Sequence, residues 1–317
     1  HRLKVLSKIR QASRSAMAFD QNDLFKFKDR GDQVSQLLRL PEVEIEGHKL
    51  QTTPVFDAYW YFAFERQNMF RKRVFGSNDE AVTKDPTLAG HRFTNAYRAS
   101  DRVSQFLIGN VIWVDDHLST DEIFFRILLF KIFNRIETWD ALTQEFGSIS
   151  LDTYDFSRFN DFLSDRQKRG VRNYSAAYIM PSAGTAFGYA SKHANHLMLL
   201  EWMLEKRFPE RFVSSDTMAE AYHLLLTAPS IGPFLAYQFA TDLNYSSLSQ
   251  FSEMEFVVAG PGALDGISKC FTDTKRLPPA LIIQHLAEHQ NEFFSYYGLE
   301  FSDLWGRPLQ LIDCQNL

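Results

Sequence analysis

The sequence predicts an all-α fold, and three observations lead to this prediction. Apolar residues recur at helical spacing through most of the 317 residues. Only one short stretch, near the N-terminus, alternates apolar and polar residues. The composition is 45% hydrophobic with 29 Phe, which implies a substantial core. We therefore expect an N-terminal helix and short β-hairpin at 1–54, followed by a two-lobed helical domain at 55–317.

Charge and cysteine content limit the classes of function. The net charge of -5 excludes a globally basic nucleic-acid binder but allows a local basic groove. Cys270 and Cys314 lack the spacing of a zinc or iron–sulfur site, so we expect a reducing, cytoplasmic location without disulfides. The most apolar run is too short to span a bilayer, and no signal-peptide pattern is present. We expect no metal, no cofactor and no membrane partner, and the oligomeric state is left open.

The local patterns predict the elements in order along the chain. Alternation from Val43 to Leu50 around a glycine predicts the hairpin. Thr120 precedes an acidic turn and is the predicted N-cap of one helix. His193 and His196 have the spacing of a metal pair but no third ligand. The predicted helices in the first two thirds of the chain are 3–18, 55–75, 121–134, 136–146 and 189–208, the last stopping at Pro209, and a loop is predicted at 150–160.

The segment from His91 to Phe106 carries three arginines and is predicted to be an amphipathic helix with Thr94 or Asn95 as its N-cap. Its polar face has two interpretations. In one it is solvated, and Asp101 pairs with Arg98, or with Arg102 and Gln105. In the other it binds anions, the guanidinium groups hold phosphate oxygens, and Asp101 orients one of them. Spacing alone does not choose between these interpretations.

Residues 218–243 predict two helices joined by the tight turn Pro229-Ser230-Ile231-Gly232. This pattern is typical of a helix-hairpin-helix motif, whose turn amides bind a DNA phosphate, but also of an ordinary αα-hairpin. The usual motif has two glycines, and Ser230 replaces the first. The turn Gly260-Pro261-Gly262 also enters a helix, so it is either a second amide cradle or a tight connection.

Four stretches, 92–102, 238–244, 260–263 and 311–316, carry a family resemblance. Together they resemble the α-glutamyl/putrescinyl thymine pyrophosphorylase-like family, the glycosylase-related helical domain found beside phage 5-hydroxymethyluracil DNA kinases. The resemblance extends from about residue 55 to the end of the sequence. It implies an all-helical fold related to helix-hairpin-helix DNA glycosylases and a double-stranded DNA substrate that contains modified pyrimidines. The sequence has no Gly-x-x-x-x-Gly-Lys-Ser/Thr P-loop, so it is not itself the kinase.

The resemblance implies two chemistries for a base that has left the helical stack. We expect excision of a bulky 5-substituted pyrimidine, derived from a hydroxymethyl base with or without a glucosyl group, by a glycosylase-like hydrolase in phage defence. The alternative is a transferase that exchanges a leaving group on the 5-methylene of a thymine-derived base during DNA hypermodification. A second alternative is a non-catalytic protein that binds modified DNA.

The catalytic carboxylate of a helix-hairpin-helix glycosylase is expected shortly after the hairpin, but the helix entry there, Gly260-Pro261-Gly262, contains none. The candidates in its place are Asp242, Asp265 and Asp313, and the predicted catalytic residues are Asp242 and Asp313, because these two lie in resembling stretches. For each of them a helix cap or an ion pair is the structural alternative.

The remaining site predictions concern the substrate and the DNA backbone. The arginines are expected to hold phosphate or a polar 5-substituent, and Asn95 and Gln105 to read base edges. Either Tyr97 or an aromatic residue from 59–64 is expected to stack on the base. The predicted substrate-binding residues are Arg92, Thr94, Asn95, Tyr97, Arg98, Asp101, Arg102 and Gln105. The predicted DNA-backbone residues are Ser230, Gly232, Gly260 and Gly262.

Overall fold

The computed structural model describes residues 40–76, 82–115, 117–176 and 180–317. Within these ranges the chain forms fifteen α-helices and one two-stranded antiparallel sheet, which confirms the all-α prediction. The helix predicted at 3–18 lies outside the described residues. Over the described ranges, every helix is too short or too polar to cross a membrane.

The short hairpin is confirmed as β1 (Glu42–Ile45) and β2 (His48–Gln51). Val43 pairs with Leu50, and both are buried. Glu46 and Gly47 connect the strands with φ of 49° and 74°, the backbone conformation of a type I′ turn, which matches the twist of the strands.

The helices are numbered here in chain order. They are α1 (Pro54–Phe75), α2 (Pro86–Gly90), α3 (Arg102–Phe106), α4 (Thr120–Phe133), α5 (Ile136–Phe146), α6 (Phe156–Lys168), α7 (Gly184–Phe187), α8 (Lys192–Glu205), α9 (Phe208–Val213), α10 (Met218–Leu226), α11 (Pro233–Leu243), α12 (Pro261–Cys270), α13 (Pro279–Glu288), α14 (Gln290–Tyr296) and α15 (Leu311–Asn316). A 3₁₀ turn covers Arg98–Ser100, and a π-helical stretch covers Leu107–Ile112.

The core is built around two helices whose existence the sequence predicts. In α1, Trp60 is fully buried and stacks on Phe293 of α14 at a ring-centroid distance of 4.9 Å. In α4 every residue from Phe124 to Phe133 is buried, as expected for a helix that is apolar on all sides. The N-cap of α4 is Ser119, whose side chain accepts the N–H of Glu122, rather than the predicted Thr120.

Three local predictions are corrected. The loop predicted at 150–160 ends early, because Asp155 caps α6 by accepting the N–H of Arg158. The helix predicted at 189–208 is shorter, since α8 ends at Glu205. Pro209 does not end that helix but occupies the first turn of α9. The N–H groups of a first turn have no partner within the helix, so a proline there costs no hydrogen bond.

The amphipathic helix predicted from His91 to Phe106 is confirmed only for its last five residues and is wrong for the rest. The chain is irregular through Tyr97, and only the short helix α3 follows the 3₁₀ turn. The buried guanidinium of Arg66 explains this, because it donates to the carbonyl oxygens of Thr94 and Asn95 and to Thr94 Oγ1. A helix would need those carbonyls for its own hydrogen bonds, and the tertiary contact takes them instead.

Candidate functional site

A buried ionic cluster is centred on Arg98, whose side chain is 4% exposed. Its guanidinium donates to Asp242 Oδ1 at 2.8 Å, to Gln238 Oε1 at 3.1 Å and to Tyr245 Oη at 3.0 Å. The planar guanidinium has enough donors for three acceptors in different directions. One cation therefore joins the 3₁₀ turn to α11 and to the loop that follows it.

Asp242 is fully buried on α11 and contacts a second cation. Lys131 Nζ, from α4, lies 3.3 Å from Asp242 Oδ2 and donates to Asn134 Oδ1 at 2.8 Å. A carboxylate in a dry interior is tolerated only when cations and hydrogen bonds compensate its lost hydration. Asp242 therefore links three parts of the fold: α4, α11 and the 3₁₀ turn.

Asp313, the other predicted catalytic residue, is also buried and also contacts Arg98. Its Oδ1 accepts the backbone N–H of Arg98 at 2.7 Å, and its Oδ2 accepts the backbone N–H of Gln310 at 2.9 Å. Burial raises the pKa of Asp313 to about 6, although these two hydrogen bonds favour the charged form. Both predicted aspartates therefore contact Arg98: Asp242 binds its side chain, and Asp313 binds its backbone N–H.

An open cleft of about 680 Å³ adjoins this cluster. The polar loop 244–253 forms one side, and Trp113, Arg307 and Gln310 contribute to the rest of the lining. Tyr245 connects the cleft to the cluster, because it lines the cleft and its hydroxyl accepts from Arg98. Gln310 provides a second connection through Asp313. The volume lies within the range of ligand-binding clefts in proteins.

Asn244 fixes the conformation of the polar loop. Its Oδ1 accepts from Ser249 Oγ and from the N–H of Phe251, both at 2.9 Å, and its Nδ2 donates to the carbonyl of Phe251 at 3.0 Å. A loop held by three hydrogen bonds from one side chain presents its serines and Gln250 to the cleft in a defined arrangement.

Trp113 forms an aromatic part of the cleft lining. Its side chain is 51% exposed, and its Nε1 donates to the carbonyl of Tyr245 at 3.1 Å. An indole that is anchored by its N–H and exposed to solvent can stack on a planar ligand. Arg307 and Glu253 add an ion pair to the lining, with side chains 45% and 12% exposed.

None of the eight predicted substrate-binding residues lines the cleft. Arg98 and Tyr97 are buried and act on residues that do line it, since Tyr97 Oη donates to the carbonyl of Arg307 at 2.7 Å. Arg92 and Arg102 are exposed elsewhere on the surface.

The other members of that set stabilise the segment itself. Asp101 Oδ1 accepts the N–H of Asn95 at 2.7 Å, and burial raises the pKa of Asp101. Asn95 Nδ2 donates to the carbonyl of Ser100, and Gln105 Nε2 to that of Ala99. Thr94 is held by Arg66. These contacts give the irregular backbone its hydrogen-bond partners.

The turn between α10 and α11 contains two of the predicted DNA-backbone residues. Ser230 has φ of 64°, the left-handed conformation that glycine adopts at lower cost. Gly232 is the N-cap of α11, and no other atom lies within 4 Å of the position of an added Cβ. The space beside Gly232 is therefore open, but the first residue of α11, Pro233, has no backbone N–H to offer.

The turn before α12 contains the other two, and they differ from each other. The N–H of Gly260 is already bound by Gln315 Oε1 at 3.1 Å, and an added Cβ would lie 2.9 Å from the ring of Phe234 on α11. Gly262 is exposed and unobstructed. Gly260 thus allows α12 to pack against α11. Of the two glycines, only Gly262 has free space around it.

The two histidines with metal-pair spacing have other partners. His193 Nε2 lies 2.9 Å from Ser164 Oγ, and His196 contacts Tyr174 Oη at 2.8 Å and the carbonyl of Pro181 at 2.6 Å. Burial lowers the pKa of His196 to about 4, which keeps the ring neutral. In the part of the chain that the structure describes, no group of three or more His, Cys, Asp or Glu side chains could hold a metal ion.

Sequence reasoning missed the cleft lining and Lys131. A lysine inside the apolar run of α4 was a usable signal, because a buried ammonium requires an anionic partner. The polar loop that follows directly after the 238–244 stretch was another. Trp113 and Arg307 had no local signal, since only the tertiary fold brings them to the cleft.

Comparisons with known proteins identify the family. Residues 53–317 match the family described as 5-hmdU DNA kinase, helical domain. A 5-hmdU DNA kinase of Bacillus phage SP10 is 25% identical over 295 residues, which cover 87% of this chain and 44% of that protein. The chain thus spans less than half the length of this relative. No solved structure matches the chain. Because the family match covers most of the sequence, the chain belongs to the family of 5-hmdU DNA kinase helical domains.

Proposed function

We propose that this chain binds a 5-hydroxymethyluracil-derived base in DNA and exchanges a group on its 5-methylene carbon. The observation that carries this proposal is the open cleft beside the Arg98 cluster, with an exposed tryptophan and a fixed polar loop. The family match and the kinase relative supply the class of substrate.

The base has to leave the duplex stack before it can enter the cleft. Trp113 stacks on the extruded ring, and the serines of loop 244–253 together with Gln310 hydrogen-bond its polar edge. Such side chains act as both donors and acceptors, as the edge of a uracil ring requires.

The cluster behind the cleft has a positioning role in this proposal. Arg98 holds the hydroxyl of Tyr245, and Asp242 holds Arg98, so the floor of the cleft is fixed before the substrate arrives. Asp313 does the same for the backbone of Gln310. The prediction that Asp242 or Asp313 acts directly as the catalytic carboxylate stays a prediction, and both residues lie behind the residues that line the cleft.

The exchange breaks the bond between the 5-methylene carbon and the oxygen of an esterified hydroxyl group. The leaving group keeps the electron pair, and the lone pair of an incoming amine forms the new C–N bond. The amine then loses a proton to a base. Glu253 is the carboxylate of the cleft lining and accepts that proton. Arg307, which pairs with Glu253, holds the anionic leaving group.

The DNA backbone follows the surface outside the cleft. The turn at Ser230 and Gly232 and the exposed Gly262 bind phosphates through their backbone amides. Arg92 and Arg102 are exposed and contact phosphates further along.

Transfer is favoured over the excision that the sequence analysis preferred. The relative is named a 5-hmdU DNA kinase, a name that denotes group transfer, and the family carries the same description. Phosphorylation of the hydroxymethyl group would create the leaving group that the exchange requires. This chain carries no P-loop, so that step belongs to another protein or polypeptide segment.

Product analysis tests the proposal. The chain is incubated with duplexes containing 5-hydroxymethyluracil or its phosphate ester, with and without an amine, and the nucleosides are then analysed by mass spectrometry. Transfer gives intact strands and a base whose mass changes only when the ester and the amine are both present. Released base and alkali-labile strands would support excision, and unchanged DNA in every reaction would overturn both chemistries.

A further inference from the structure

Trp305 is the most exposed of the five tryptophans, at 64%. It lies in a tight turn closed by the bridge between Leu304 and Arg307. Trp305 and Gly306 are its central residues, with φ of 57° and 85°, which defines a type I′ backbone. Asparagine and glycine are the usual residues for the first central position. A tryptophan there is both strained and exposed, a combination that occurs at functional sites.

The turn has a fixed position at the edge of the cleft. The N–H of Gly306 donates to Asp303 Oδ1 at 2.9 Å, and the carbonyl of Arg307 accepts from Tyr97 Oη. Arg307 itself lines the cleft and pairs with Glu253. Trp305 therefore stands two residues from the cleft lining. The other exposed tryptophan, Trp113, is part of that lining, whereas Trp60 and Trp139 are buried and Trp202 is partly buried.

We propose that Trp305 is a stacking finger that packs against the DNA base next to the one that enters the cleft. This inference rests on the proposed function. Extrusion of one base exposes the apolar faces of its neighbours, and an inserted planar side chain covers them. Trp113 stacks on the extruded base inside the cleft. Trp305 stacks on the neighbouring base that remains in the duplex.

Photo-crosslinking with 5-iodouracil tests this assignment, because the iodinated base couples to an aromatic ring stacked on it. One duplex carries 5-hydroxymethyluracil as the target and 5-iodouracil at the adjacent position. A second carries 5-iodouracil at the target position, mispaired with guanine so that it leaves the stack easily. After irradiation the crosslinked peptides are mapped by mass spectrometry.

The variants separate the ring from the turn. Trp305→Asn suits the type I′ turn and removes the ring, so the fold is retained. Trp305→Phe keeps an aromatic ring. Tyr189→Ala removes an exposed aromatic side chain that does not line the cleft and is the matched control.

The expected result is that the adjacent probe couples to Trp305, that Trp305→Asn lowers the yield by about tenfold, and that Trp305→Phe and Tyr189→Ala retain it. The target probe couples to Trp113 in every variant. Coupling of the adjacent probe to another residue, or full yield in Trp305→Asn, would overturn the finger and leave the cleft intact. If neither probe couples and the chain binds no DNA, the proposed function fails and the finger fails with it.

Discussion

Arg98 shows how much one buried side chain can organise. Its three acceptors come from one helix and the loop after it, and its own backbone N–H is held by a helix at the other end of the chain. The cluster gains its stability from complementary partners, so removing one of them leaves a buried charge without compensation.

Asp242→Asn tests this dependence. The substitution keeps the shape of the side chain but leaves Arg98 and Lys131 without the carboxylate that they share, so the free energy of unfolding should fall by about 3 kcal/mol. Asp265→Asn is the matched control, because Asp265 forms an exposed pair with Lys269 and its loss should cost less than about 1 kcal/mol. Chemical denaturation measures both, and equal effects would contradict the account of the cluster.

Asp313 should make stability depend on pH. Its pKa is raised from 3.8 to about 6 by burial, so the folded protein keeps this proton to higher pH than the unfolded chain does. The folded state then binds more protons between about pH 4 and 6, and the contribution of Asp313 to stability is lost as the pH rises through that window.

The loss amounts to about 3 kcal/mol, from two pH units at about 1.4 kcal/mol each. The Asp313→Asn variant lacks the titrating group, so its unfolding free energy, measured across the same pH range, should fall less steeply than that of the wild type. Parallel curves for the two proteins would show that Asp313 does not titrate in this window.

At the scale of residues, the sequence indicated which residues belong to the buried cluster, but not which of them contact one another. The stretches around Arg98, Asp242 and Asp313 all stand out in the sequence, but the guanidinium and carboxylate that meet are 144 residues apart. The local alternative, a pair between Arg98 and Asp101, was the best that helical spacing could offer. Burial decided the outcome, and for Arg98, which lies in a polar stretch, the local sequence does not indicate that burial.

At the scale of elements, prediction succeeded where the apolar pattern was long and failed where distant side chains bind the backbone. The hairpin, α1, α5, α10 and α11 follow from periodicity, caps and turn residues. The 91–106 segment has equally good helical periodicity. Its first part, up to Tyr97, is irregular because Arg66 binds the carbonyls of Thr94 and Asn95, and the N–H of Arg98 is bound by Asp313; both contacts come from elsewhere in the chain.

The packing of α12 against α11 gives a prediction at this scale. Gly260→Ala places a methyl group 2.9 Å from the Phe234 ring and should lower the free energy of unfolding by about 1–3 kcal/mol. Gly262→Ala has open space and should change it by less than about 1 kcal/mol. Both are measured by thermal or chemical unfolding.

A second substitution identifies the cause. Replacing Phe234 with Ala removes the ring atoms that the added methyl group meets, so Gly260→Ala should cost less in that background than in the wild type. An unchanged cost would mean that the Phe234 ring is not what the added methyl group meets.

At the scale of the whole molecule, the net charge is negative, so DNA has to bind to a limited surface on which positive charges are concentrated. Among the arginines that could contact DNA phosphates, Arg66 and Arg98 are buried and bound within the fold. Arg92 and Arg102 are exposed. If the exposed pair contacts phosphates, replacing both with Gln should reduce the slope of log affinity against log salt by about 2.

Equilibrium binding at a series of salt concentrations measures that slope. Lys49→Gln is the control, because Lys49 lies on the hairpin and pairs with Glu42, and it should leave the slope unchanged. A slope that is insensitive to the arginine substitutions would place the DNA on another face.

The central claim is that the cleft holds the modified base, and Trp113→Ala tests it most directly. Affinities are measured for two duplexes that differ only in carrying 5-hydroxymethyluracil or thymine at one position. The wild type should prefer the modified duplex. Trp113→Ala should lose about tenfold in affinity for the modified duplex, which is about 1.4 kcal/mol and typical of one stacked base, and keep its affinity for the unmodified one. A preference that survives in Trp113→Ala, or is absent from the wild type, would contradict the account.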